Sequence, residues 1–323
     1  MIEDQNSQAS DTKAEEYGRL LAIGTLILDR HLRDAESNDD RKQKKAKSCK
    51  EKEKILSNAN VISLGLSMNE LIAELESNLI SDDVIKYIVD LLYVKPFFPN
   101  ELKFNVKDHI AGVAKIGHKL GVKTENFDNI LKTMKAATKA YHKSKLLKVV
   151  LISVGGLVVL GTGGYLAAPI IAAAIGAAAG LSGAAATSFG LAFLGGGSLA
   201  TGGAGMAGGL WLVTGTGGVL GLGAGAGAGI IHNMGASDLK NELIKLEITF
   251  KEVTLKNTEN TAVARGYIIE LTKAKEELQK ALEKAKLVND KNSQTIKSYK
   301  EKLTIVEKAI TRLTKFNEDN RGL

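Results

Sequence analysis

Apolar positions along this chain follow three rhythms, and each predicts a different kind of helix. From Lys13 to Arg33, the residues Tyr17, Leu20, Leu21, Ile27 and Leu28 fall around one helical stripe, with Ser10 or Asp11 placed to cap it. Ser67-Met68-Asn69-Glu70 has the spacing of a capping box opening the helix LIAELESNL, and Ser81-Asp82-Asp83 sets a cap and two acids before VIKYIVDLLYV. Pro96 and Pro99 end that helix, because proline has no backbone N–H and restricts the residue before it. Two further helices follow over residues 106–120 and 125–148, parted by Gly121, the second with Ile130, Met134, Ala137 and Tyr141 on one stripe. The PFF cluster is expected in the core.

The second rhythm is a heptad. Leu239, Leu243, Leu246, Phe250 and Val253 step by four and three, and the stepping resumes through Ala264, Tyr267, Leu271, Ala274, Leu278, Ala281, Ala285 and Val288. After Asn289-Asp290-Lys291-Asn292-Ser293 the phase changes, and Ile296, Tyr299, Leu303, Val306, Ile310 and Leu313 follow. That polar break is either a stutter in one long helix or the turn of a helical hairpin. A buried seam needs a partner helix, from the same chain or from another copy.

The third pattern has no polar face to alternate with. Val149 to Ser237 is 89 residues without Asp, Glu, Lys or Arg, and it holds 26 of the 34 glycines. A bilayer span needs about 20 mainly apolar residues. Val149 to Ala168 meets that requirement, closed by Pro169, and Ile170 to Leu194 meets it with more Ala and Gly. Beyond Gly195 the apolarity thins, and four spans fit only if residues 195–197 and 214–217 are turns. Small residues at every fourth position let helices approach closely in lipid: Ala172, Gly176, Gly180 and Ala184 form one such ridge, and Gly217, Gly221, Gly225 and Gly229 a second.

The chain thus reads as all-α in four parts. Residues 1–59 are an N-terminal helix and charged linker, 60–148 a small basic helical domain, 149–237 a Gly/Ala-rich membrane segment of transmembrane helical hairpins, and 238–323 a coiled-coil region, one helix or a hairpin. Charge sharpens this picture. The formal net charge is +7, and residues 101–148 carry all of it, with eleven lysines against four acids. Lys132, Lys135, Lys139, Lys143, Lys145 and Lys148 directly precede the apolar segment, as the positive-inside rule requires of a cytoplasmic flank, and suit anionic lipid headgroups. Lysines also follow the segment, so both flanks are expected to be cytoplasmic and the number of spans even, two or four. The acidic, polar start has none of the marks of a cleaved signal peptide.

Chemistry is harder to find. Cys49 is the only cysteine and sits in KKAKSCKEKEK without a neighbouring histidine, and that run reads as a solvated face or linker. His109, His118 and His142 lack metal-ligand spacing. Gly203-Ala204-Gly205-Met206-Ala207-Gly208 fits GxGxxG, yet no strand precedes it and the next carboxylate is Asp238. The basic patches carry no nucleic-acid-binding motif. No catalytic residue, cofactor or metal site is expected, and the chain is read as a non-enzyme.

Through GGGSLATGGAGMAGG and GLGAGAGAG, the stretch Val149 to Gly229 resembles the Gly/Ala-rich hydrophobic core of α-helical pore-forming and membrane-perforating proteins, including the hydrophobic region of apolipoprotein-L-like proteins. The resemblance implies a toxin-like or effector protein whose partner is a lipid bilayer, an anionic one by the lysine flank, and which assembles into homo-oligomers through the glycine ridges and the C-terminal seam. Two alternatives are a constitutive membrane-anchored scaffold recruiting protein partners through its coiled coil, and a soluble protein that sheathes the segment until triggered.

Overall fold

The computed structural model describes residues 19–58, 61–79, 83–94, 96–97, 100, 102–142, 231, 235–256, 261–288 and 293–321. Among the described residues every regular element is helical: α1 (19–34), α2 (Asp39–Asn58), α3 (Met68–Asn78), α4 (Val84–Tyr93), α5 (Val106–Lys119), α6 (Thr124–Tyr141), α7 (Ala236–Thr249), α8 (Thr261–Val288) and α9 (Gln294–Arg321). The chain divides into two compact units, one of residues 1–127 and 147–217, the other of 128–146 and 218–323. Among the described residues no helix is long and apolar enough to cross a membrane. The hairpins expected over 149–237 lie outside the described residues, apart from positions 231 and 235–237.

In the first unit α1 is enclosed. Leu20 through Asp29 are all buried, where the sequence predicts a single stripe, because a helix apolar around most of its circumference finds its lowest free energy wrapped by others. Its one carboxylate there, Asp29, is fully buried and meets Lys52 of α2 in an ion pair. Asp29 Oδ1 also accepts the N–H of Phe97 at 2.8 Å. That second bond holds the turn after α4, where Phe97 takes φ of 63°, a conformation unfavourable for a bulky side chain. The Phe97 side chain is buried, as the PFF cluster predicts, with the Lys45 ammonium 5.5 Å from its ring centre.

The charged run 41–54 is a helix rather than a linker, with Arg41, Lys42, Lys44, Lys47, Lys50 and Lys54 on a solvated face. It lies inside α2, which buries Lys45, Ser48, Cys49, Lys52 and Leu56 along one face. Lysine can be placed there because each buried ammonium has oxygen partners, Lys45 with Glu36 at 2.8 Å and Lys52 with Asp29. The boundary expected at residue 59 also falls within this unit. Tyr87 of α4 donates its hydroxyl to Leu20 O at 2.9 Å, and Arg30 pairs with Glu53 at 3.0 Å.

Local signals read from sequence reappear as geometry. Ser67 and Glu70 form the reciprocal capping box at α3. After α5, Gly121 has φ of 82°, and the Val122 and Gly121 amides donate to Gly117 O and His118 O, which is the bond pattern of a Schellman stop.

The second unit is a bundle of α7, α8, α9 and residues 128–141 of α6. Helices α8 and α9 pack side by side in opposite directions, with Leu282 and Ala285 against Ile296, Tyr299 and Leu303, and Lys275 paired to Glu307 at 3.1 Å. The polar break at 289–293 thus joins two arms of a hairpin. Helix α7 runs parallel to α9, linked by Lys240 to Glu301 at 2.6 Å and by Glu247 to Arg312. Residues 242–250 are all buried, so α7 has no solvent face for an ordinary heptad to leave exposed. Its last turn widens into a π-helix over Phe250–Thr254.

Candidate functional site

In sequence, the charge-free segment is flanked by α6 and α7. Helix α6 ends at Tyr141, which lies against Glu247 in the last turn of α7, while α7 begins at Ala236. Thr133 Oγ1 donates to Glu252 at 2.9 Å, while Tyr141 lies against Glu247, so α6 and α7 are antiparallel. Two lysines fix the ends. Lys308 of α9 donates to Ala140 O, satisfying a carbonyl that the last helical turn leaves without an intrahelical donor. Lys240, in the first turns of α7, pairs with Glu301 and its charge reaches His142, whose pKa is lowered by burial and by that ammonium.

A buried polar lock lies just below. Arg312 Nε donates to Glu247 Oε2 at 2.7 Å, and Nη2 donates to Oε1 of the same carboxylate, giving a two-pronged, charge-assisted pair on a side chain only 1% exposed. The Tyr141 hydroxyl donates to Glu247 as well. Its pKa is raised, first by burial and then by the Glu247 charge. Three helices, α6, α7 and α9, meet at this carboxylate. Nothing in the spacing of Glu247, Arg312 and Tyr141 marks them in the sequence, since a charged residue between heptad positions reads as surface.

The lipid-facing lysines expected on α6 are placed on its outer side. Lys132, Lys135 and Lys139 are exposed, spaced by three and four so that they form one ridge, while Ile130, Met134, Ala137 and Tyr141 are buried on the opposite face. Lys143, Lys145 and Lys148 lie outside the described residues, as do Ala172, Gly176, Gly180, Ala184, Gly217, Gly221, Gly225 and Gly229. Of the seam residues, Leu239, Leu243, Leu246, Phe250, Leu271, Leu278, Val306 and Leu313 are buried, and Val253, Leu303 and Ile310 are half-buried. Their partners are helices of the same chain, so the seam is filled without a second copy. Val288 departs from its heptad place and is 81% exposed.

Reactive groups elsewhere are held inert. Burial, and after it the Asp29 charge, push the Cys49 thiol up to about 12, which keeps it protonated and unreactive. His109 is buried in α5, donates from Nε2 to Leu91 O at 3.1 Å, and is lowered to about 4 by desolvation. His118 bonds instead to its local turn at Val122 O, at 2.9 Å. Among the described residues no group of three or more His, Cys, Asp or Glu is placed to hold a metal ion. No family model, no curated protein and no solved structure matches the chain.

Proposed function

We propose that the chain is a non-enzymatic, membrane-inserting helical protein that assembles through its glycine ridges to perforate or remodel a bilayer, preferentially an anionic one. The observation that carries this reading is the run of 89 residues without Asp, Glu, Lys or Arg between α6 and α7, two helices that pack antiparallel through Thr133 to Glu252 and Tyr141 to Glu247. A segment of 89 uncharged residues that joins two antiparallel helices of one bundle has the connectivity of an even number of crossings, two or four. The Lys132, Lys135 and Lys139 ridge, continued in sequence by Lys143, Lys145 and Lys148, supplies the cationic flank that an anionic leaflet attracts.

Because the C-terminal seam is filled within the chain, self-assembly in this reading rests on the small-residue ridges alone. Glycine adds little transfer energy but allows close backbone packing, so weakly apolar crossings gain more from neighbours than from lipid. The test is carbonate extraction of the full chain beside a variant deleted for Val149 to Ser237, followed by dye release from sealed vesicles. The proposal expects the full chain to resist carbonate, the deletion to be released, and dye to escape only with the full chain. Resistance to carbonate with no leakage at any protein-to-lipid ratio would replace perforation by the scaffold reading.

A further inference from the structure

We infer that the tip of the α8–α9 hairpin is a second membrane contact, inserting Leu287 and Val288 into the interface of an anionic bilayer, at the end of the bundle where α7 begins. Leu287 is 86% exposed and Val288 81%, the two most exposed large apolar side chains among the described residues. They are adjacent, at the last turn of α8, where a hairpin that only had to pack its own arms would place polar residues. Their neighbours Ala285 and Ile296 are buried between the arms, so the exposed pair extends an apolar core outward.

The placement follows from register. Lys240 meets Glu301 and Glu247 meets Arg312, so the first residue of α7 lies level with a point several residues inside α9. The hairpin tip therefore projects past the start of α7 by roughly five residues, about 8 Å at ~1.5 Å of rise per residue. It does so at the end of the bundle where α7 begins, at Ala236.

Charge selects the occupant. Lys280, Lys284, Lys286, Lys297 and Lys300 are exposed on the last turns of α8 and the first turns of α9, against the exposed acids Glu283 and Glu301. Long lysine stems can lie along an apolar surface while their ammonium groups stay among phosphates, which fits two inserted aliphatic residues ringed by cations. A soluble protein partner would more often be met by aromatic or arginine anchors, and the tip has neither. The inference rests on the proposed function only in taking the charge-free segment as membrane-inserted.

The test uses the full chain with Cys49→Ala and a single environment-sensitive fluorophore on Val288→Cys, or on Ile269→Cys as a control. Ile269 is also exposed on α8 but lies many turns from the tip. With phosphatidylcholine–phosphatidylglycerol vesicles, position 288 is expected to shift to the blue and be quenched at least twofold by a lipid-borne quencher, while position 269 stays unchanged. In the unlabelled chain, the paired change Leu287→Asp and Val288→Asp should weaken binding to those vesicles at least tenfold and leave the unfolding midpoint unmoved. Flotation and dye release without quenching at 288, or equal quenching at 269, would overturn the tip contact and leave perforation standing. Quenching at 288 without dye release would overturn perforation and leave the tip contact standing, and a chain that never floats with vesicles sinks both.

Discussion

Each of the two units buries most of one helix and pairs a buried carboxylate of that helix with a cation on another, yet the two cores are made of different material. Helix α1 is nearly all Leu, Ile and Ala, and Asp29 is the exception that pins the Phe97 turn. Helix α7 alternates apolar residues with Glu242, Lys245 and Glu247, all buried, and Glu247 gathers α6 and α9 through Tyr141 and Arg312. The first core is held mainly by apolar area, with one polar tie. The second depends on polar register, set in the last turn of α7. Directional pairs fix which turn of one helix faces which turn of another, and apolar contact does so less strictly.

Breaking each tie measures that contrast. Asp29→Ala leaves the Lys52 ammonium buried without its carboxylate and the Phe97 N–H without its acceptor, and is expected to cost about 3–5 kcal/mol in urea unfolding of the full chain. Asp29→Asn keeps an acceptor for the amide and should recover part of that loss. Glu247→Gln should cost about 3 kcal/mol, because Arg312 keeps one neutral acceptor and more access to solvent. The sharper readout there is hydrogen exchange, with faster exchange at the last turns of α6 and α7 and around Arg312 in α9, and little change in α1 to α5.

Acid should act mainly on the first unit through His109. Its folded pKa, about 4, lies below the ordinary value of 6.5, so the unfolded chain binds the extra proton between those values. Stability therefore falls as pH drops through that window, by about 2 kcal/mol between pH 7 and 5 for an ~1.5-unit span. His109→Gln should remove most of this slope in urea unfolding at stepped pH. Asp29 works in the opposite sense. Its pKa is raised by burial, so its contribution falls as pH rises above the ordinary carboxylate value, and the two slopes separate by window.

Glycines give the smallest and cleanest contrast. A Cβ on Gly24 would lie 2.0 Å from the Tyr87 hydroxyl oxygen, and that oxygen is bonded to Leu20 O, so Gly24→Ala should destabilise by about 1–3 kcal/mol. A Cβ on Gly266 meets nothing within 4 Å inside α8, so Gly266→Ala should stabilise by about 0.5–1 kcal/mol. Thermal melts of both variants would show opposite signs.

What the sequence carried legibly was local. The Ser67 and Glu70 box, the stop at Gly121 and the α6 stripe each depend on residues within a turn or two of one another. Enclosure was not legible, because amphipathic spacing reveals one packed face and says nothing of helices arriving on the others. Thus α1 reads as a stripe, α2 as a solvated run or linker, and α7 as half of a seam. The lysines of α2 mislead for a specific reason: Lys45 and Lys52 are buried only because Glu36 and Asp29, distant in sequence, come to meet them. The candidate site divides in the same way. The lysine ridge on α6 follows from spacing, whereas the Glu247, Arg312 and Tyr141 lock depends on three helices whose register no single stretch encodes.

The central claim is that both flanks of the charge-free segment stay on one side of the bilayer. It is tested by adding the full chain, with Cys49→Ala and either Lys139→Cys or Arg265→Cys, to preformed sealed vesicles and then applying a membrane-impermeant maleimide from outside. Lys139 precedes the segment and Arg265 follows it, and both are exposed. The account predicts that both positions react fully in carbonate-resistant chains. Reaction at one with protection of the other would mean an odd number of crossings and contradict it.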